Sequence, residues 1–152
     1  MKKLLLPVLL LVLLCGCWNA NDIDDMDYVN AVGVEYSERE QMFTVYAQLI
    51  SFAKVAKSEG SDDPKPIPAW IAVGKGSNYV EAVEEINEHS ERKLYWGHVT
   101  SLLLGDQLLR SQDITEVMEA FMRYYELRYT IWVFGTKEDM IKLFTTAPNF
   151  EH

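Results

Sequence analysis

Cysteine is scarce in this 152-residue chain. There are two, Cys15 and Cys17, both near the start. Cysteine-built zinc sites and a disulfide framework are therefore not expected in the body of the chain. Basic charge is also short. Lys and Arg number 14 against 23 Asp and Glu, a formal charge of −9. That balance argues against nucleic acid, whose phosphates are neutralised by Lys and Arg. It argues equally against a polybasic grip on anionic head groups. The three histidines, His89, His98 and His152, lack metal-ligand spacing. No apolar run reaches the roughly 20 residues of a membrane-spanning helix.

The longest apolar run, Leu4 to Leu14, follows Lys2 and Lys3, and no acidic residue precedes Asp22. A charged start, a short apolar core and small residues after it make a secretory signal peptide. Leu14-Cys15-Gly16-Cys17 resembles the bacterial lipobox, in which cleavage falls just before a cysteine. The resemblance implies a signal peptide over 1–16 and lipid attachment at Cys17. A diacylglycerol with N-acylation supplies at least two chains, and two anchor stably where one is marginal. Without Lys2 and Lys3 the remainder carries 12 basic and 23 acidic residues, or −11. The lipid would hold at the membrane a domain that anionic lipid repels.

Residues 17–27 are polar and acidic, and read as a tether; 28–152 read as one domain. Tyr28, Val32, Val34 and Tyr36 alternate as in a strand, with Asn30 breaking the pattern. Ser37 to Glu40 forms a polar connection to a second strand, Met42 to Phe52, which makes a hairpin. Lys54 to Ala69, with Gly60, Pro64, Pro66 and Pro68, reads as a loop before a short strand, Trp70 to Val73. Tyr79, Ala82, Val83 and Ile86 share a helical face, with Asn78 and Glu81 as a capping pair. Glu81, Glu84, Glu85 and Glu88 form its solvated side. Leu94 to Leu104 reads as one strand. Asp113 to Arg123 follows as a second helix, Tyr129 to Phe134 as a last strand, and Thr136 with Asp139 starts a short final helix. The expected fold is α+β: a mixed β-sheet with an N-terminal hairpin and about three helices packed on it.

Several local patterns then fall in one order. Cys17-Trp18 precedes an acidic stretch and a strand ending in Gly33-Val34. Gly76-Ser77 opens a helix. Arg92-Lys93-Leu94-Tyr95-Trp96-Gly97-His98 enters a strand, and Arg123 with Glu126-Leu127-Arg128 closes the second helix. This order resembles the Ger(x)C family, the lipoprotein C subunits of spore germinant receptors. The resemblance spans the lipobox and the chain after it. It implies an N-terminal domain followed in family members by further domains. It also implies attachment to the outer face of the spore inner membrane and two integral membrane partners, the A and B subunits. The expected role is part of the nutrient response that triggers germination, without enzymatic activity or a cofactor.

Four residues stand out as partner contacts or structural ion pairs: Arg92, His98, Arg123 and Arg128. The guanidinium fork suits paired carboxylates in an acidic chain. His98 in an apolar strand fits a turn-fixing histidine better than a catalytic base, which needs a positioned partner. A surface hydrolase using His98 remains the alternative, and it predicts a concave pocket there. A lipoprotein fragment with no activity of its own is another. Gly74-Lys75-Gly76-Ser77 has phosphate-loop composition but lacks the pattern's first glycine, so it reads as a strand-to-helix transition.

Overall fold

The computed structural model describes residues 26–50, 70–123 and 130–146. Cys17, Trp18, Arg128 and the proline-bearing segment before Trp70 lie outside the described residues. Six strands form one open sheet: β1 (Met26–Ser37), β2 (Met42–Ile50), β3 (Trp70–Gly76), β4 (Lys93–Tyr95), β5 (Ser101–Gly105) and β6 (Trp132–Thr136). Among the described residues four helices accompany it: α1 (Tyr79–His89), α2 (Asp106–Arg110), α3 (Ile114–Arg123) and α4 (Met140–Thr146). The strand order is β3-β2-β1-β5-β6, with β4 also on β1. The fold is α+β with a mixed sheet, as the sequence predicts.

β1 and β2 form the expected antiparallel hairpin, with Ser37 opposite Met42. Its turn takes Gln41 to φ 53°, and the Ser37 hydroxyl accepts from the Glu40 N–H. Asn30 sits at a register shift between Val29 and Ala31, the signature of a bulge. That bulge is why alternation breaks there in the sequence.

The stretch from Leu94 to Leu104 is two strands rather than one. β4 pairs parallel with Met26 to Tyr28, and β5 pairs parallel with Ala31 to Val34. They lie end to end along the same side of β1. Between them a turn is closed by the Val99 N–H on the Trp96 carbonyl at 3.2 Å. The Thr100 N–H then bonds the Asn30 carbonyl at 2.8 Å. The bulge and this turn occupy the same level, so the irregularity in β1 is matched across the pair.

One face of the sheet packs Val32, Val34, Val45 and Leu102 against α1 and α3. Tyr79, Ala82, Val83 and Ile86 are the buried side of α1, as their spacing predicts. Val117 and Phe121 are that of α3, and the Tyr79 and Phe121 rings meet at 5.6 Å. The other face carries a smaller cluster, with Met140 and Phe144 of α4 over Ala31 and Leu103. A side chain at Gly33 would come within 3.0 Å of the Met140 sulfur, so the glycine lets α4 approach the sheet. Helices therefore cover both faces.

The one-turn α2 is an element that sequence periodicity does not show. β3 runs on to Gly76, and β6 is shifted toward Thr136 relative to the expected strand. Among the described residues no helix is long and apolar enough to cross a membrane.

Candidate functional site

The first residues of β1 gather the most distinctive part of the sequence. Arg92, just before β4, places Nη1 3.9 Å from the Asp27 carboxylate. Tyr28 meets the Tyr95 ring edge-on at 5.4 Å and the His98 ring edge-on at 6.3 Å. Parallel pairing of Met26 to Tyr28 with Lys93 to Tyr95 holds these side chains together. The buried Trp96 fixes the segment from below, donating its indole N–H to Asn87 of α1 at 3.4 Å. The Tyr95 ring lies over Gly97, where a Cβ would fall 2.7 Å from it. The result is a surface patch of Tyr28, Arg92, Tyr95 and His98.

Arg92 is 48% exposed and Asp27 19%. A pair that open to water contributes little stability. Tyr and Arg are, however, the residues that most often dominate partner binding, because they combine area with directed hydrogen bonds. The patch is suited to recognition.

Arg123 does not join it. Its guanidinium lies 3.7 Å from Glu119 one helical turn back, with both side chains largely exposed. That is a solvated helix pair of small energetic weight. Arg128 lies outside the described residues, as does the lipid-attachment candidate Cys17.

A cleft of about 430 Å3 lies at the other end of β1. Its lining includes Glu35, Tyr36, Thr44, Asp106, Lys137 and Glu138, and not His98. In open sheets with parallel strands such a cleft often takes ligands. Here its carboxylates are engaged internally. The Tyr46 hydroxyl donates to Glu35 at 2.8 Å, and burial together with that carboxylate pushes the phenol well above its ordinary range. Arg110 bonds both oxygens of Asp106, at 3.0 and 3.1 Å, and holds its carboxyl below the usual range. Lys142 reaches Glu138 at 3.3 Å. His98, half-buried against Tyr28, lies at the opposite end, so this cleft is not the pocket that the hydrolase alternative requires.

The Gly74-Lys75-Gly76-Ser77 segment is also occupied. Glu85 of α1 accepts from the Lys75 N–H. Glu81 accepts from the Ser77 N–H at 3.0 Å and its hydroxyl at 2.6 Å. Carboxylates stand where a phosphate would sit. No group of three or more His, Cys, Asp or Glu is placed to hold a metal ion among the described residues.

Sequence reasoning missed Tyr28 and Tyr95 as site residues. Their contact depends on β4 pairing with β1, 67 residues apart, and on a strand that looks continuous in the sequence.

An open mixed sheet with helices on both faces defines an α+β domain. The family model described as "Spore germination protein N-terminal domain" matches residues 19–152, and the chain belongs to that family. Spore germination protein B3 of Bacillus subtilis (strain 168) is 25% identical over 142 residues, 92% of this chain and 36% of that protein. Spore germination protein KC of the same organism is 25% identical over 154 residues, 95% of this chain and 37% of that protein. Putative spore germination protein YfkR, also from there, is 18% identical over 149 residues, covering 98% and 38%. The chain thus spans little more than a third of the curated relatives it matches. No solved structure matches it.

Proposed function

We propose that this chain is the N-terminal domain of a C-type subunit of a spore nutrient germinant receptor. In this reading lipid at Cys17 holds it on the outer face of the spore inner membrane. It acts by contact with the integral membrane A and B subunits and not by catalysis. The observation that carries the reading is the family match, which begins at residue 19, two residues after the lipobox cysteine. The relatives' names as spore germination proteins support the germination role.

Eight residues, 18–25, lie between Cys17 and Met26, so the two are at most ~30 Å apart. The patch of Tyr28, Arg92, Tyr95 and His98 is built on the first strand residues after that tether. In this reading the patch is at the anchored end of the domain, within reach of proteins embedded in the same bilayer.

The test is site-specific photocrosslinking in dormant spores, with the crosslinker at Tyr95 or, as a control, at Glu119. The Tyr95 probe should capture an integral membrane subunit and the Glu119 probe should not. Arg92→Ala should weaken that capture by about tenfold, the loss of one interface anchor worth ~1.4 kcal/mol. Equal capture from both positions, or none with germination intact in the Arg92→Ala strain, would refute this use of the patch.

A further inference from the structure

β1, β5 and β6 run parallel, and their carboxyl ends lie together at one end of the sheet. From there the chain leaves in two directions. After β5 it enters α2, whose Leu108 joins the core cluster on the α1 and α3 face. After β6 it turns to α4, whose Met140 and Phe144 pack on the opposite face. Where the connections of neighbouring parallel strands part to opposite faces, a crevice opens between them. In open sheets that crevice, outside the carboxyl ends, is where ligands bind. The cleft of about 430 Å3 is this crevice, lined from the end of β1, the β5–α2 junction and the β6–α4 connection. Its volume suits a small molecule. The undescribed segments before β1, between β2 and β3, and before β6 join the sheet at its opposite end, and none of them borders a lining residue.

The charges in the cleft are not balanced alike. Arg110 bonds both oxygens of Asp106, and Lys142 lies 3.3 Å from Glu138. Glu35 has a hydrogen bond and no opposite charge. The Tyr46 hydroxyl donates to its Oε2, and among the described residues its Oε1 accepts from no donor. A half-buried carboxylate in that state favours a cationic hydrogen-bond donor. Gly105 makes room for it, since a Cβ there would come 3.1 Å from the Glu35 Cγ. On the far side of β5, Lys137 is exposed and joins no ion pair among the described residues. Beside it the Thr136 hydroxyl accepts the Glu138 N–H at 3.0 Å and keeps its own O–H to donate.

We propose that this crevice binds a small free amino-carboxylate. The ammonium group sits on Glu35, and the carboxylate sits on Lys137 and the Thr136 hydroxyl. A simple cation fits less well because Lys137 repels it, and a simple anion meets three carboxylates. A neutral polyol leaves both charges as they were. The inference rests neither on the receptor reading nor on the lipid at Cys17.

Titration calorimetry on the full-length gene product tests it, with glycine, β-alanine and 4-aminobutyrate as amino-carboxylates of increasing charge separation. At least one of the three should saturate a single site below ~50 mM. Ethylamine, propionate and glycerol should bind at least ~10-fold more weakly. Glu35→Gln keeps an acceptor for Tyr46, and Lys137 is exposed, so Glu35→Gln and Lys137→Met preserve the fold. Each should weaken the amino-carboxylate by ~10-fold, whereas Glu119→Gln on α3 should leave it unchanged. Saturation by none of the three would overturn the proposal. So would equal affinity for ethylamine or propionate, or an affinity unchanged in either variant.

Discussion

Asn78 occupies extended backbone, φ −139° and ψ 167°, and its side-chain oxygen accepts the Glu81 N–H at 2.9 Å. Replacing it with Ala should cost about 1 kcal/mol in urea denaturation, the usual loss of an N-cap. Glu81 completes the start of α1 through Ser77, whose hydroxyl and then N–H hold the carboxyl below its ordinary value. A carboxyl lowered on folding stabilises the fold above the ordinary carboxylate range, and that contribution fades as pH falls through the lowered value. The urea midpoint of the native chain should therefore fall more steeply between about pH 5 and 3 than that of Glu81→Gln. Equal slopes would contradict the assignment. This cap was legible because its partners lie within four residues. The buried chain from Thr100 through Asn30 and Gln48 to the Phe144 carbonyl was not. Its partners are 70, 18 and 96 residues apart, and nothing local in the sequence announces them.

Elements with a strong period were readable. The apolar face of α1 is set by burial against the sheet, so its spacing alone reveals it. The continuous reading of Leu94 to Leu104 failed because both pieces pair with β1, and only that pairing and the turn closed from Val99 to Trp96 mark the break. α2 escaped because a single turn has no period. At this scale Gly74 is the sharpest test. A methyl there would run into the Ala82 carbonyl and the Ile86 side chain, so β3 and α1 pack through that glycine. Gly74→Ala should destabilise the domain by ~1–3 kcal/mol, as overpacking does, read from the denaturation midpoint. A neutral outcome would show that α1 sits farther from β3 than the structure places it.

For the whole molecule, the acidic balance and the proposed lipid anchor pull in opposite directions. An acidic domain is repelled by anionic lipid, and a covalent lipid overcomes that repulsion without any basic patch. In the proposed reading the Tyr28 and Arg92 end of the domain faces the bilayer. The patch was partly legible. Arg92 and His98 stood out as unusual residues, but only strand pairing brings the two tyrosines beside them. The most direct test is intact mass analysis of the native protein extracted from spore membranes. The account predicts an N-terminus at Cys17 heavier by a diacylglyceryl group, and a Cys17→Ala protein that washes off those membranes. An unmodified thiol at Cys17, or a leader still attached, would contradict it.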